Sequence, residues 1–326
     1  MSDSSEEIYE WLTSLKGYFF SQIKPINSDA SFRNYYRVLD DKKGPFIVMD
    51  SDPNLENNEK FIYTTNLLNQ ISMPIPSIHQ IDDSGRYFLI SDLGRKSLFD
   101  QRQDDNLQDF YIKAIKLLVQ MQINGSSYKS QLPDYNDALL YSEMELFKEW
   151  FCFYELGFGV RQIEKIDFNP LFSQLIQRAN HQEKAFVHRD YHSRNIMISY
   201  DGELGLIDYQ DAVCGPLTYD IVSLLRDCYI KIELPQMHDL LRVYYDHLVN
   251  NQMTNKPLNE FIIDFDLMGA QRHLKAIGIF SRLKHRDKKE TYVNDIPLTL
   301  SYLKHLSKQY EFIEDILVQL KLQRVK

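Results

Sequence analysis

The segment from His188 to Asp208 constrains this chain more than any other, because two acids and an amide stand around a predicted hairpin. It reads H-R-D-Y-H-S-R-N-I-M-I-S-Y-D-G-E-L-G-L-I-D. The Asp201-Gly202 pair predicts a two-residue type I′ turn, since both central positions of that turn need positive φ. The residues on either side, 196–200 and 203–207, are typical of short, largely buried strands.

In a straight ladder around that turn, Asn195 and Asp208 are directly opposed, with Cβ atoms about 4.5–5.5 Å apart. An amide oxygen and a carboxylate at this separation are able to share one hard cation such as Mg²⁺. Asp190 precedes Asn195 in the loop that enters the hairpin. The segment therefore predicts metal-assisted phosphoryl transfer, in which Asp190 orients the attacking hydroxyl and accepts its proton. The alternative is a set of turn caps, because Asp and Asn favour loop ends.

The composition is ordinary for a folded globular protein, with 44% hydrophobic and 25% charged residues. A net charge of −9 argues against a general nucleic-acid binder, which needs a basic face. No apolar run is long enough to span a bilayer, and the acidic start M-S-D-S-S-E-E does not resemble a secretory signal. The three cysteines lack metal-ligand and disulfide-framework spacing, which favours buried thiols. We therefore expect a cytoplasmic protein with no nucleic-acid or membrane partner, and the oligomeric state stays open.

The first 93 residues predict a small lobe that mixes strands and helices. Apolar residues at helical spacing predict an opening helix over 5–23. Strands are predicted at 32–39, 46–49 and 87–90, with a helix over 54–70 between the second and third of them.

From residue 94 to residue 326 the pattern is mainly helical, apart from the hairpin. The predicted helices cover 107–123, 139–156, a segment beginning at Asn169-Pro170, 218–230, 236–251, 258–282 and 297–322. The absence of a long linker in the sequence predicts two tightly joined lobes, 1–93 and 94–326.

Several phrases resemble a known family: D-A-S-F-R-N-Y-Y-R, F-I-V-M-D-S-D-P, L-I-S-D-L-G, V-H-R-D-Y-H-S-R-N, L-I-D-Y-Q-D-A-V-C-G-P-L-T-Y-D and F-D-L-M-G-A-Q-R-H-L-K-A-I-G-I-F-S-R-L. They are similar to the aminoglycoside phosphotransferase superfamily and, within it, to the bacterial N-acetylmuramate/N-acetylglucosamine kinases. The resemblance extends from about Trp11 to Leu303.

The resemblance implies an α+β, bilobal protein-kinase-like fold, with a small mixed β/α N-lobe covering the nucleotide and a larger, mainly helical C-lobe. It implies ATP and Mg²⁺ as cofactors, bound between the lobes, with Asn195 and Asp208 as metal ligands. The expected reaction phosphorylates the anomeric hydroxyl of an amino sugar in peptidoglycan recycling. The backbone from Ser91 to Leu93 is expected to bind the adenine edge.

Two departures from the broad kinase pattern concern the nucleotide phosphates. No G-x-G-x-x-G precedes the first hairpin; residues 27–32 stand there, and small residues such as Ser31 fit either a phosphate-binding nest or a plain polar turn. Met49 stands where a phosphate-binding lysine is expected. Arg33 or Arg37 is the candidate replacement, although each also fits an exposed strand arginine. Glu59 is able to orient such an arginine, and it equally fits a solvated helix face.

The sugar site is the least constrained by the sequence. The candidates are Arg272 and His273 on one predicted helix, and Gln210 and Asp211 after the metal aspartate, because a sugar needs donors and acceptors in an enclosed site. A muramate carboxylate favours an arginine. Whether Arg272 points inward or into solvent is undecided by the pattern. Arg194 is expected to reach the transferring phosphate, or else to be a surface arginine.

Two other functions remain open from the sequence. One is another small-molecule kinase of the aminoglycoside or choline type. The other is a non-catalytic pseudokinase, which Met49 suggests and which the intact set of Asp190, Asn195 and Asp208 argues against. The preference for the muramate or glucosamine form is also open.

Overall fold

A computed structural model describes residues 3–26 and 32–322 of the chain. Its contacts divide the chain into a smaller unit, 1–96 and 197–211, and a larger unit, 97–196 and 212–326. The strands are β1 (Phe20–Ile26), β2 (Asn34–Asp40), β3 (Gly44–Asp50), β4 (Ile78–Ile81), β5 (Tyr87–Ser91), β6 (Lys96–Ser97), β7 (Lys184–Val187), β8 (Ile196–Ile198), β9 (Leu204–Leu206) and β10 (Val213–Pro216). The helices are α1 (Asp3–Ser14), α2 (Asn58–Gln70), α3 (Leu107–Asn124), α4 (Asp137–Leu146), α5 (Val160–Ile163), α6 (Asn169–Asn180), α7 (Tyr219–Leu225), α8 (Leu234–Asn250), α9 (Leu258–His285), α10 (Ile296–Leu306) and α11 (Glu311–Gln319).

The smaller unit is built on a five-stranded antiparallel sheet in the order β1-β2-β3-β5-β4. Strand β3 lies at its centre and is buried from Phe46 to Asp50, which fits its nearly continuous apolar run. Ile8 and Leu12 of α1 pack in one cluster with Val38, Val48 and Leu89 of the sheet. The cluster gives the small unit its own hydrophobic core.

The opening helix predicted over 5–23 is too long. Helix α1 ends at Ser14, and Gly17 adopts a φ of +81°, a left-handed conformation that suits glycine and ends the helical path. Residues 20–26 then form β1, in which Ile23 pairs with Val38. The aromatic residues after Gly17 continue the helical spacing by chance, so periodicity alone missed a strand of the sheet.

The hairpin turn predicted at Asp201-Gly202 is also wrong in its type. The Gly202 amide donates to the Ser199 carbonyl at 3.0 Å and the Ser199 amide donates to the Glu203 carbonyl at 2.9 Å. The loop therefore has three residues, with a turn followed by Gly202 at a φ of +85°, as in a G1 bulge. This shifts the register by one residue, and β9 ends before Asp208. The ladder argument for opposing Asn195 and Asp208 is therefore incorrect.

The β8–β9 hairpin belongs by its contacts to the smaller unit, whereas the sequence-based division put it in the larger lobe. The Leu206 amide donates to the Pro74 carbonyl at 2.8 Å. Gly205 lets Leu93 approach, because a Cβ there would lie 2.8 Å from Leu93 Cδ1. The hairpin forms a three-stranded sheet in the order β6-β8-β9.

The larger unit is mainly helical and its core surrounds the long helix α9. Gly278 marks a close crossing, because a Cβ there would lie 2.4 Å from the carbonyl carbon of Leu146. The segment predicted as one helix over 139–156 is α4 followed by a π-helix, Phe147–Glu155. The segment predicted over 297–322 is two helices, α10 and α11.

The other predicted helices of this unit are present, although α7 ends at Leu225 rather than near residue 230. The Asp227 carboxylate accepts the Tyr229 amide at 2.9 Å, and this local bond replaces helical hydrogen bonding. The three cysteines are buried thiols without disulfides, as predicted. Among the helices of residues 3–26 and 32–322, none has both the length and the apolar character needed to cross a membrane.

Candidate active site

The loop that carries Asp190 follows β7 and is held by a buried carboxylate. Arg189 has a φ of +76°, in the left-handed region that residues other than glycine rarely adopt. Asp220, in the first turn of α7, accepts the His188 amide at 2.7 Å and the Arg189 amide at 3.0 Å. These charge-assisted bonds stabilise the strained backbone and fix the direction of the next side chain.

A second buried carboxylate, Asp227, holds the middle of the same loop. It accepts the Ser193 amide at 2.9 Å, while its carbonyl accepts the Tyr302 hydroxyl at 3.2 Å. Sequence reasoning missed Asp227, because its partner lies 34 residues away and no local pattern marks the pair. The loop is thus braced from two points of the helical unit.

The Asp190 carboxylate is partly buried and faces several positive groups. Burial raises the pKa of Asp190, but the positive charges of Lys275, the larger influence, and Arg189 hold the pKa below its usual range. Asp190 is therefore ionised at neutral pH, which is the state needed to accept a hydroxyl proton.

Lys275 is another residue that sequence reasoning missed. Its Nζ lies 3.0 Å from Glu143 Oε1 and donates to the Tyr219 hydroxyl at 3.0 Å. Arg189 is paired with the same Glu143 oxygen. Two cations thus share one buried glutamate, and Asp190 supplies further negative charge beside them. Burial raises the pKa of Glu143, but Lys275 and Arg189 bring it below the usual range.

Asn195 is oriented by the same loop. Its Nδ2 donates to the Asp190 carbonyl at 3.0 Å and lies 3.5 Å from His192 Nε2. With the amide nitrogen turned toward this carbonyl, Oδ1 is directed elsewhere. Burial lowers the pKa of His192, so its imidazole is neutral at neutral pH.

In the smaller unit, Asp208 is exposed and also has an unusual backbone conformation. Its φ is +64°, and its Oδ1 accepts a bond from Gln210 Nε2 at 2.8 Å. The charges of Arg33 and Asp208 both interact with the Tyr35 hydroxyl. Burial raises the pKa of Tyr35 to about 12, so the phenol stays protonated. A non-glycine residue held in this conformation is typical of functional sites.

Arg33 is buried, with 3% of its surface exposed, rather than exposed on a strand. Its Nε donates to Ser51 Oγ at 3.2 Å and its Nη2 lies 3.5 Å from Glu56 Oε2. The carboxylate that orients Arg33 is thus Glu56, whereas Glu59 is exposed in the first turn of α2. Met49 is almost fully buried in the sheet, which explains why no lysine stands there.

Arg37 is hydrogen-bonded to the segment that follows β5. Its Nε donates to Asp92 Oδ2 at 2.6 Å, and its Nη2 donates to Asp92 Oδ1 at 3.1 Å and to the Gly94 carbonyl at 2.8 Å. The Tyr200 hydroxyl donates to the same carboxylate at 3.0 Å. Arg37 therefore braces this segment through Asp92 and Gly94.

The predicted adenine-binding backbone has two parts with different hydrogen bonding. The Ser91 amide donates to the Ser77 carbonyl at 3.0 Å, so within Ser91 the prediction depends on the carbonyl rather than the amide. The main chain of Leu93 lies outside the strands and has no hydrogen-bond partner among the described residues. Ser31, predicted to bind phosphate, lies outside the described residues.

Of the predicted sugar contacts, Asp211 and Arg194 lie in different units. Asp211 is ion-paired with Lys60 of α2 at 2.5 Å. The Arg194 guanidinium lies 3.7 Å from the centre of the Tyr229 ring, in a cation–π contact that fixes its plane. The His192 ring meets the other side of this cluster, edge-on to Tyr229 at 5.2 Å.

The other two predicted sugar contacts, Arg272 and His273, lie on α9, and both are buried rather than solvated. Arg272 donates from Nη1 to Cys228 Sγ at 3.8 Å. His273 is completely buried, its Nε2 lies 3.1 Å from the Arg226 carbonyl, and its ring stacks on Tyr302 at 4.8 Å. In this structure His273 therefore packs inside the helical unit.

The donor set for a metal ion is small. Among the described residues, no cluster of three or more His, Cys, Asp and Glu side chains is arranged to hold a metal. Mg²⁺ in nucleotide sites is bound by one or two protein carboxylates together with phosphates and water. Asn195, in the larger unit, and Asp208, in the smaller unit, each carry a side-chain oxygen of the type that Mg²⁺ prefers.

Comparison with solved structures identifies the fold. The choline kinase LicA from Streptococcus pneumoniae matches with a TM-score of 0.66 and 14% identity, over 93% of this chain and all of that chain. A choline/ethanolamine kinase family protein from Mesorhizobium loti matches with a TM-score of 0.65 and 10% identity, over 98% of this chain and 99% of that one. The predicted α+β, protein-kinase-like fold is confirmed, with a small sheet-containing unit and a larger helical one.

Comparison of sequences identifies the family. Residues 22–253 match the phosphotransferase enzyme family. An N-acetylmuramate/N-acetylglucosamine kinase from Pseudomonas putida is 37% identical, over 85% of this chain and 81% of the relative. A kinase of the same name from Pseudomonas aeruginosa is 34% identical, over 87% of this chain and 83% of the relative. This chain is therefore a phosphotransferase that belongs to the same family as the N-acetylmuramate/N-acetylglucosamine kinases.

Proposed function

We propose that this protein is an ATP-dependent kinase that phosphorylates the anomeric hydroxyl of N-acetylmuramate, N-acetylglucosamine or both, in cytoplasmic recycling of cell-wall sugars. The observation that carries the proposal is the 37% identity, over 85% of this chain, to a relative named for these two substrates. The ionised, braced Asp190 supports the same chemistry.

Asp190 is the proposed catalytic residue. The sugar hydroxyl oxygen attacks the γ-phosphorus, its proton passes to the Asp190 carboxylate, and the bond to the ADP oxygen breaks. A carboxylate with a lowered pKa is a weak base, so its main contribution is to orient the hydroxyl and receive the proton as the new bond forms. The bonds from Asp220 and Asp227 to the loop keep this geometry in place before the sugar binds.

Asn195 and Asp208 are the proposed ligands of Mg²⁺. The cation supplies charge neutralisation on the β- and γ-phosphates. Asn195 contributes an amide oxygen, because its nitrogen is occupied by the Asp190 carbonyl. Asp208 contributes a carboxylate whose Gln210 contact limits its rotation.

Residues 1–93 are the proposed nucleotide-covering part, and residues 94–326 carry the catalytic loop and the sugar site. Leu93 supports adenine binding, because its main-chain groups have no partner in the described chain. Arg33 is the better of the two candidate phosphate cations, because its ion pair with Glu56 is longer, at 3.5 Å, than the bidentate contact of Arg37 with Asp92 at 2.6 and 3.1 Å. Arg33 also lies with Tyr35 in the electrostatic neighbourhood of Asp208.

Of the four candidate sugar contacts, Arg194, Asp211 and Arg272 are favoured over the fully buried His273. Arg194 belongs to the catalytic loop itself, and its stacking on Tyr229 gives it a fixed orientation. Arg272 belongs to the same helical unit and interacts electrostatically with Asp190. Asp211 follows the proposed metal ligand Asp208 by three positions.

A substrate panel tests the proposed function. ADP release is measured with purified protein, MgATP and one acceptor at a time: N-acetylmuramate, N-acetylglucosamine, kanamycin or choline. We expect acceptor-dependent ADP release with at least one of the two amino sugars and none with kanamycin or choline. Turnover of kanamycin or choline alone would show a different small-molecule kinase, and no acceptor-dependent turnover with any of the four would remove the proposal.

A further inference from the structure

Arg272 differs from the other buried arginines of the described chain in having no carboxylate partner. Arg33 and Arg226 are each 3% exposed, and each is ion-paired, with Glu56 and Asp266 respectively. Arg272 is 6% exposed, and its one hydrogen bond in the described chain runs from Nη1 to the thiol of Cys228 at 3.8 Å. A buried guanidinium with so little compensation costs stability unless an anion binds it.

The remaining N–H groups of Arg272 are not sealed inside the protein. Arg226 Nη1 and Arg282 Nε are enclosed polar atoms without a hydrogen-bond partner, but no atom of Arg272 is in this condition. Its other donor nitrogens therefore keep contact with solvent, although the residue as a whole is nine-tenths buried. A cation that is mostly buried but keeps some solvent contact is accessible to a ligand and largely protected from bulk water.

The charged groups around Arg272 connect it with the proposed catalytic residue. Asp227 and Asp190 both act on the guanidinium electrostatically, and Asp190 is the proposed catalytic residue. The nearby cation Lys275 is already bound by Glu143. An anionic acceptor that approached Asp190 and Asp227 would be repelled by both carboxylates, and Arg272 is the cation placed to offset that repulsion.

We propose that Arg272 binds a carboxylate on the acceptor and makes this protein selective for N-acetylmuramate over sugars without that charge. The inference rests on the proposed function and adds the basis of its substrate preference. N-acetylmuramate carries a lactyl carboxylate that N-acetylglucosamine lacks, and the planar fork of a guanidinium matches a carboxylate in two parallel hydrogen bonds. Arg272 is thus a specificity-determining residue.

The test compares three acceptors that differ at this one group: N-acetylmuramate, its carboxamide and N-acetylglucosamine. The wild type is expected to prefer the acid over the carboxamide in kcat/KM by at least about tenfold, the effect of hydrogen bonds to a charged group. Arg272→Gln is expected to abolish this preference, and Arg272→Lys to retain part of it. Arg282→Gln, the same substitution further along α9, is the matched control and should leave the acid-to-carboxamide ratio unchanged.

Each outcome decides the matter. Equal loss of kcat on all three acceptors in Arg272→Gln would mean that Arg272 acts on the transferring phosphoryl group, and it would overturn the carboxylate assignment. If the Arg272 variants do not fold, the wild-type comparison decides alone, because a ratio near one contradicts the proposal. A wild type that phosphorylates none of the three removes the proposed function as well. A wild type that phosphorylates the acid and the carboxamide equally well removes only this inference.

Discussion

The two units hold their proposed catalytic residues in different ways. In the larger unit, the Asp190 loop is bonded through its backbone to two buried carboxylates, Asp220 and Asp227. In the smaller unit, Asp208 is exposed, and its carboxylate accepts a hydrogen bond from Gln210, two positions along the chain. The fold therefore holds Asp190, which is proposed to orient the acceptor, in a fixed position. We expect the position of Asp208 to depend more on the bound metal and nucleotide.

The largest effect should come from the side chain of the braced loop. Asp190→Asn keeps the size of the residue but removes the proton acceptor, so kcat should fall by about 10²–10⁴-fold. Sugar-dependent ADP release at saturating substrates measures this. The thermal unfolding temperature should change little, because the main-chain bonds of the loop remain. Activity within a few-fold of wild type would contradict the role of Asp190.

The second prediction concerns Asp220, which supports the catalytic loop and is not proposed to take part in phosphoryl transfer. Asp220→Ala leaves the buried amides of His188 and Arg189 without an acceptor, so the free energy of unfolding should fall by about 2–4 kcal/mol and kcat should fall with it. Urea unfolding measures the first change. Asp105→Ala, an exposed carboxylate in the same unit, is the control and should change stability by less than about 0.5 kcal/mol. Equal behaviour of the two variants would show that the loop does not depend on Asp220.

A third effect tests the smaller unit. Arg33→Met should raise the KM for ATP by about tenfold, because a charge-assisted contact to phosphate is lost. Arg37→Met should raise this KM less, since the Arg37 guanidinium is bound to Asp92 and Gly94. An increase confined to Arg37→Met would reverse the assignment of the phosphate cation.

The smallest effect at neutral pH concerns Lys275. Lys275→Met removes the largest of the charges that lower the pKa of Asp190, so that pKa should rise. A higher pKa means that less Asp190 is ionised at low pH, and the acid limb of kcat/KM should move to higher pH. The profile is measured at saturating MgATP, with the exposed Lys116→Met as the control. An unmoved acid limb would show that Lys275 does not act on Asp190.

Local sequence patterns predicted some elements well and others poorly. Helix α9 was expected over 258–282 and covers Leu258–His285, because its apolar spacing is long and uninterrupted. Strand β1 was not predicted, because aromatic residues continue at helical spacing past the break in the helical path at Gly17. The turn at Ser199–Gly202 was assigned the wrong type, because an Asp-Gly pair fits both a type I′ turn and the end of a bulged turn.

Local sequence likewise predicts some residues of the candidate site and not others. The spacing within one segment predicts Asp190, Asn195 and Asp208. It does not predict the supporting residues Lys275 and Asp227, because the contact of Lys275 with Glu143 and that of Asp227 with Ser193 join distant parts of the chain. The burial of Arg272 and His273 was likewise beyond the sequence, since α9 is buried on most of its circumference and its period does not mark an outer face.

The most direct test of the central claim is ³¹P and ¹H NMR of the product formed from MgATP and N-acetylmuramate. The account predicts one phosphate, bonded to the anomeric oxygen and coupled to the anomeric proton, with no product in Asp190→Asn. A phosphate coupled to the exocyclic methylene protons, or a product formed equally well by Asp190→Asn, would contradict it.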